Sequence, residues 1–446
     1  MTFPRYPAYK DSGVAWLEAV PAHWEVRQLG RLGSFSKGGG GTKEDAVEAG
    51  VPCVRYGDLY TQYRFFIERT KTCVSPEKAL AYTPIHYGDV LFAGSGETIE
   101  EIGKSAVNLL TEPACCGGDV ILFRPSISVD AKFFGYATDC PQATFQKACM
   151  GRGFTVMHIY ASELKYLSVV LPPLAEQRTI AAFLDAETAR IDTLVAKQTA
   201  LIATLQEKRR ALISHVVTKG LDSAAPMKDS GVPWLGAVPT HWEVYRYRRI
   251  FMEVTELSET GDEELLTVSH LTGVTPRSEK NVNMIMAESL EGYKKCRTGD
   301  TVINTMWAWM GALGVALNDG IVSPSYNVYR IRSEKRHHIE PLYLDYLYRT
   351  ELHIVEINRY SKGIWNSRLR LYPQSFFEMS MPCPPVEEQR SIVRYLSKET
   401  AQIDTLIAKA EEMSGLLREH RVALIAAAVT GQIDVRGWVG ESTDRI

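Results

Sequence analysis

Two stretches of this 446-residue chain are copied elsewhere in it, and any fold must accommodate both copies. Residues 10–26, KDSGVAWLEAVPAHWEV, return at 228–244 as KDSGVPWLGAVPTHWEV, with only Ala15/Pro233, Glu18/Gly236 and Ala22/Thr240 changed. A second echo pairs PPLAEQRTIAAFLDAETARIDTLVAK, from Pro172, with PPVEEQRSIVRYLSKETAQIDTLIAK, from Pro384. The stretches between the echoes barely match. A doubled frame around unlike contents implies an internal repeat that keeps one architecture and varies what each half recognises.

The second echo opens two long helices. No proline or glycine occurs from Leu174 to about Thr218, and helix formers dominate. Ile191, Leu194, Gln198, Leu201, Leu205, Lys208 and Leu212 follow alternating steps of three and four, the seam of a coiled coil. Ile403, Leu406, Ala410, Met413, Leu417, His420 and Leu424 repeat the pattern. Proline pairs (Pro172–Pro173, Pro384–Pro385) precede both helices, and Gly220 and Gly431 are stop signals. Each helix is expected to run about 40 residues, or about 60 Å. Two such helices with polar residues in their seams are expected to pack on each other, with Gln198, Lys208 and His420 setting register or edging the seam.

Between the echoes the texture changes to short β-rich runs bounded by Gly, Pro and Asp. VPCVRYGDLY, GDVLFAG, GGDVILFRP and LKYLSVVLPP occur in the first half, and ELLTVSHL, GDTVINTMW, SPSYNVYRI and FEMSMPCPP in the second. Gly88-Asp89-Val90 and Gly299-Asp300-Thr301 hold matching places, each opening an apolar strand. Helical stretches come late in each region, around 132–139 and 341–359. The expectation is two α+β domains of one fold, each followed by a long helix.

Composition narrows the setting. No apolar run approaches the roughly 18–20 residues of a membrane span, and the N-terminal MTFPRYPAYKDSG lacks the apolar core of a secretion signal. The eight cysteines are scattered, without C-x-x-C spacing, which points away from zinc and from a disulfide framework and fits a reducing cytoplasm. A net charge of −3 argues against indiscriminate coating of nucleic acid but leaves room for local basic surfaces.

Three enzyme-like signals fail on inspection. Residues 92–96, FAGSG, resemble the F-x-G-x-G loop that binds S-adenosylmethionine, but no [DNS]-P-P-[YFW] tetrapeptide accompanies it, and the matching second-half residues read NTMW. Gly103-Lys104-Ser105 mimics the end of a P-loop, yet Thr98 stands where its first glycine is required. The tetraglycine 38–41 lacks the following helix of a dinucleotide site and reads as a flexible loop. No catalytic residue and no metal site is predicted.

The informative polar segments lie just before each proline pair. INRYSKGIWNSRLRLYPQSFF, residues 357–377, holds Arg359, Lys362, Arg368 and Arg370 without an acidic residue, interleaved with Tyr360, Trp365, Asn366 and Tyr372. Its first-half counterpart holds Lys147, Arg152, Phe154, His158, Tyr160 and Lys165. Arginine and lysine neutralise phosphates, and Arg and Asn make bidentate contacts with base edges. Gly151, Gly153 and Gly363 would let a loop approach a groove closely. The alternative for any one residue is a solvated basic loop; for two such segments at matching positions, DNA contact is preferred. Arg55 and Tyr56, with Tyr60, and His270, Arg277 and Lys280 are further candidates.

The order variable region, PP-x-x-EQR-x-I-x-x-x-L helix, twice over, resembles the specificity subunit of type I restriction–modification systems. The matching residues are Pro172, Pro173, Glu176, Gln177, Arg178, Ile180 and Leu184, then Pro384, Pro385, Glu388, Gln389, Arg390, Ile392 and Leu396. The AxIDxLxAK continuation (189–197 and 401–409) and the two VPxHWEV segments also look like this family's. The resemblance implies an α+β chain with a pseudo-two-fold repeat. Two target-recognition domains would be held apart by an antiparallel coiled coil of two long helices. The domains would be an N-terminal repeat segment 1–22, recognition domain 23–171, central conserved region 172–222, second recognition domain 223–383, C-terminal conserved region 384–434 and tail 435–446.

It further implies recognition of a bipartite, asymmetric sequence in double-stranded DNA, one half-site per domain, with half-sites about one turn or roughly 34 Å apart. Two modification subunits that methylate adenine would dock on the helices, and restriction subunits would join the full complex. S-adenosylmethionine, ATP and Mg would sit on those partners and no cofactor on this chain, which would be non-catalytic by itself. Two rivals stand beside this reading. A stand-alone methyltransferase would bind S-adenosylmethionine unaided, and a coiled-coil scaffold for proteins would form no sequence-dependent DNA complex.

Overall fold

The computed structural model describes residues 3–96, 98–99, 101–153, 157–280, 289–364 and 369–440. The chain divides into two compact units, Met1–Gln198 with Glu412–Ile446, and Thr199–Glu411. Each contains one β-rich domain and parts of both long helices.

In the first unit the central sheet is built from β1 (Gly33–Lys37), β2 (Phe65–Ile67), β3 (Val90–Ala93), β4 (Ser105–Asn108) and β5 (Val120–Pro125), in the order β1-β5-β3-β4-β2. All neighbours are antiparallel except β2 beside β4. A second five-stranded sheet packs nearby through Val54, Ile85, Cys116 and Leu91. Helices α1 (Ala131–Asp139) and α2 (Pro141–Met150) follow. Asp130 caps α1, its Oδ1 accepting the Phe133 N–H at 2.9 Å. α1 buries Phe133, Phe134 and Tyr136 against Phe65, Phe92 and Phe123 of the central sheet. The α2 segment, opened by Pro141 at its first turn, extends the helical stretch beyond residue 139, where the sequence pattern had placed its end.

The second unit repeats this plan with fewer strands. β6 (Phe251–Val254), β7 (Thr301–Asn304), β8 (Leu313–Val315) and β9 (Tyr326–Ile331) run in the order β6-β9-β7-β8, which superposes strand for strand on β1-β5-β3-β4 in connectivity. Helices α4 (Pro341–Tyr348) and α5 (Glu351–Tyr360) match α1 and α2. The paired Gly-Asp motifs explain part of the likeness. Gly88 and Gly299 adopt positive φ, and the next carboxylate is buried. Asp89 then receives a two-point contact from Arg124 (2.8 and 2.7 Å), and Asp300 one from Arg330 (2.9 and 2.8 Å). A buried carboxylate needs such a fork to offset its lost hydration.

The long helices are α3 (Leu174–Lys219, 46 residues) and α6 (Val386–Val429, 44 residues), somewhat longer than the spacing suggested. In the first unit Ile180, Leu184 and Ile191 of α3 share a core with Leu424, Ile425 and Ala428 of α6. In the second, Ile213, Val216 and Val217 of α3 share one with Ile392 and Leu396 of α6. Within each unit the beginning of one helix thus lies beside the end of the other, an antiparallel pairing. The seam differs from the expected one in every second position. Ile191, Leu205, Leu212, Ile403, Ala410, Leu417 and Leu424 are buried or half-buried as expected. The positions between them are shifted by one residue, to Val195, Ile202, Ile407 and Ser414, with Arg209 and Arg421 further along. Leu194 is half-buried, whereas Leu201, Leu406 and Met413 are 47, 51 and 47% exposed and do not belong to the seam. The cause is local: Leu194-Val195, Leu201-Ile202 and Leu406-Ile407 are adjacent apolar pairs, so steps of three-four and four-three fit equally well.

The repeated segments lock helix ends to domains. The His23 Nε2 lies 2.9 Å from the Glu176 carboxylate, and His241 Nε2 lies 2.8 Å from that of Glu388. Gln177 accepts from the Asp130 N–H (2.9 Å) and donates to the Pro172 carbonyl (2.8 Å); Gln389 accepts from the Glu340 N–H (2.9 Å) and donates to the Pro384 carbonyl (2.7 Å). The EQR motif is therefore a clamp between helix start and domain. Gly220 and Gly431, at φ +84° and +74°, turn the helix ends onto the buried Trp242 and Trp24 respectively. A Cβ on Gly431 would stand 2.4 Å from Pro21 and 2.9 Å from Trp24, so the stop signal is also a packing requirement.

Candidate nucleic-acid interface

After α2 the chain forms an arm whose root is a mutual backbone pair: Arg152 N–H to His158 carbonyl at 2.9 Å, and His158 N–H to Arg152 carbonyl at 2.7 Å. After α5 the second domain does the same with Lys362 and Arg370, at 2.9 and 3.0 Å. Each arm is anchored by the next apolar residue, Ile159 or Leu371, and by a short helix, Ala161–Leu164 or Pro373–Glu378. The chain then enters a strand, Ser168–Leu171 or Ser380–Cys383, and pairs antiparallel with Glu25–Gln28 or Glu243–Arg246 before the proline pair. Sequence alone had matched these two segments, and the structure gives them equivalent roots.

The polar groups at the roots face outward. The Arg152 side chain is 78% exposed, with Glu163 at 3.7 Å, too far for a well-formed hydrogen bond. Lys362 and Arg370 are exposed. In the first arm Met157–His158 pairs with Ser95–Gly96, and the His158 Nδ1 lies 2.9 Å from the Ser95 hydroxyl. Tyr160 and Tyr372, equivalent residues just beyond the roots, are also exposed. Phe154, Trp365, Asn366 and Arg368, named with the two basic segments, lie outside the described residues.

One expected contact is corrected. Lys147 is fully buried on α2, donating to Asp139 at 2.6 Å and to the Thr138 carbonyl at 3.0 Å, so its charge serves the domain core and does not reach a phosphate. The sequence window placed it in the arm because its basic neighbours run on without a break; the helix beginning at Pro141 carries it inward. Arg55 precedes a short helix, Tyr56–Thr61, and its guanidinium donates to the Thr42 carbonyl at 3.1 Å. Tyr56 packs edge-on to Tyr60, and the Tyr60 hydroxyl donates to the Ser95 carbonyl, tying this helix to the first arm. That link, between residues 35 positions apart, had no signal in the sequence. His270 is exposed, while Arg277 and Lys280 are half-buried on one turn, where burial and the neighbouring Arg277 cation lower the Lys280 pKa.

The enzyme-like motifs resolve into framework. Lys104 donates to the Tyr60 carbonyl at 2.8 Å, and Ser105 begins β4, so no helix N-terminus follows that could cradle a phosphate. Among the described residues no group of His, Cys, Asp or Glu could hold a metal ion, and no helix is long and apolar enough to cross a membrane.

The model of the type I restriction modification DNA specificity domain matches residues 21–203, the first domain with the start of α3. Over 94% of this chain and 95% of its own length, the putative type I restriction enzyme MjaX specificity subunit of Methanocaldococcus jannaschii is 23% identical. Along nearly its whole length the chain is similar to type I restriction enzyme specificity subunits, and its first domain matches the DNA specificity family. Solved structures agree on the fold. A chain from a study of complex assembly and conformational transition in a type I restriction–modification system has a TM-score of 0.70 at 18% identity, covering 93% of this chain and 99% of that one. The HsdS subunit of Thermoanaerobacter tengcongensis gives 0.57 at 19% identity, covering 93% and 98%.

Proposed function

We propose that this chain reads a bipartite, asymmetric DNA sequence for a type I restriction–modification complex, one half-site per domain. The observation that carries the reading is the pair of arms, rooted at Arg152/His158 and Lys362/Arg370. They hold equivalent places on a duplicated frame yet carry different side chains. Equal arms would read a symmetric site, and unlike arms an asymmetric one.

The recognition domains are assigned to 23–171 and 223–383. Arg152, His158, Lys362 and Arg370, supported by Arg55 and Tyr56, are the proposed contacts, together with Trp365, Asn366 and Arg368 of the second basic segment. Leu201 on α3 and Leu406 and Met413 on α6, exposed and outside the seam, are suited to docking helices of two modification subunits, since exposed apolar residues mark a partner face. S-adenosylmethionine, ATP and Mg belong on the partner subunits, and the complex works in the cytoplasm. A gel shift of chain plus modification subunit on specific and scrambled duplexes tests the reading. A sequence-dependent complex at moderate salt is expected, and binding that ignores sequence would refute it.

A further inference from the structure

An open cleft of about 620 Å³ lies beside the first arm, bounded by Phe35, Lys37, Ser95, Asp119, His158 and Tyr160. The second domain has the same position but not the same shape. Ile159 donates its N–H to the Gly94 carbonyl at 3.0 Å, and Leu371 donates to the Thr305 carbonyl at 3.3 Å, so Gly94 and Thr305 are equivalent. A Cβ at Gly94 would stand 3.1 Å from the Asp119 carbonyl oxygen, in the cleft wall. Thr305 carries that side chain and donates from its hydroxyl to the Ser325 carbonyl at 3.0 Å. The residues after it, Met306 and Trp307, project with 39 and 50% exposure. One domain is hollow where the other protrudes.

We infer that the cleft of the first domain receives a nucleobase turned out of the duplex stack. This rests on the DNA-recognition reading above. Bases within a stack show only their edges, which projecting side chains reach in a groove, so a concave site needs a ligand that projects from the duplex. The sugar–phosphate ridge projects too, but its anionic oxygens would meet a lining that is mostly apolar, with Lys37 set against Asp119. A base fits the lining better. Tyr160, 57% exposed and inclined 21° to the His158 ring, offers a stacking face. Lys37 and the Ser95 hydroxyl supply donors, and Asp119 supplies an acceptor, for a base edge. Trp307, half-exposed, projects instead and reads its half-site from outside.

The test uses the complex of this chain with its modification subunits on target duplexes carrying 2-aminopurine at one position at a time. One position in the first half-site is expected to brighten on binding. Gly94→Thr, which installs the second domain's residue, and Tyr160→Ala each remove that signal. Each also weakens binding roughly tenfold while leaving discrimination at the second half-site intact. Absence of brightening at every first-half position, or brightening that persists in both variants, overturns the cleft assignment and leaves DNA recognition standing. A wild-type complex that fails to distinguish its target from a scrambled duplex overturns both.

Discussion

Arg421 Nε lies 2.9 Å from the Asp192 carboxylate, joining the end of α6 to α3 within the first unit. Its counterpart in the repeat, Arg209, lies 2.9 Å from Asp404 in the second unit. The sequence relation is the same but the burial is not: the Arg421 side chain is 11% exposed, and that of Arg209 is 36%. Arg421 Nη1 is buried without a hydrogen-bond partner. Asp192→Ala therefore strands a nearly buried cation and is expected to cost about 2–3 kcal/mol, toned down from the fully buried case because Asp192 is itself half-exposed. Asp404→Ala is expected to cost under about 1 kcal/mol. Urea unfolding of the two variants, compared at equal m-value, checks the inequality; equal losses would show that burial does not set the difference.

Lys147 and Arg152 separate stability from recognition. Lys147→Ala leaves Asp139 without its buried partner and is expected to lower stability by about 3–5 kcal/mol. Arg152→Ala leaves stability within about 0.5 kcal/mol. It instead weakens binding of the target duplex by about 1–3 kcal/mol and relaxes discrimination at one half-site. Thermal melts and a titration of binding, run on both variants, give the two readouts.

His353 makes the second domain acid-sensitive. It is fully buried, its Nε2 2.7 Å from the Tyr247 hydroxyl, and burial lowers its pKa to about 3. Unfolded, the imidazole titrates near 6.5. A folded pKa below the unfolded one means the unfolded state binds the extra proton. Stability is thus full above about pH 6.5 and falls as pH drops from there toward 3, by up to about 1.4 kcal/mol per unit. In His353→Gln that contribution to the slope is expected to vanish, as measured by denaturant unfolding between pH 7 and 4.5.

The helix-end glycines should differ in tolerance. Gly431→Ala places a methyl 2.4 Å from Pro21, while at Gly220 the nearest contacts are at 3.2 and 3.3 Å. Both pay about 1 kcal/mol for positive φ, and Gly431→Ala is expected to lose clearly more by overpacking. Melting temperatures of the two variants decide this.

Much of this organisation is legible in the sequence because the repeat supplies its own alignment. The duplicated HWEV and EQR segments, both helix-stop glycines and the two arms occupy the places the echoes imply. The seam was half legible: Leu201 and Leu406 sit beside Ile202 and Ile407, and only the partner helix decides which of each pair turns inward. Asp89 and Asp300 announced themselves after glycine, but Arg124 and Arg330 did not, since a strand pairing brings them close. Lys147 misled because charge composition carries no direction, and helix phase does.

The sharpest measurement is the methylome of cells expressing the modification subunit with wild-type chain, with Arg152→Ala, or with Arg370→Ala. Wild type should give one bipartite, asymmetric motif. Each variant should relax the sequence of a different half and leave the other half and the spacing untouched. Relaxation of both halves by either variant, or of the same half by both, would contradict two separate readers on a shared frame.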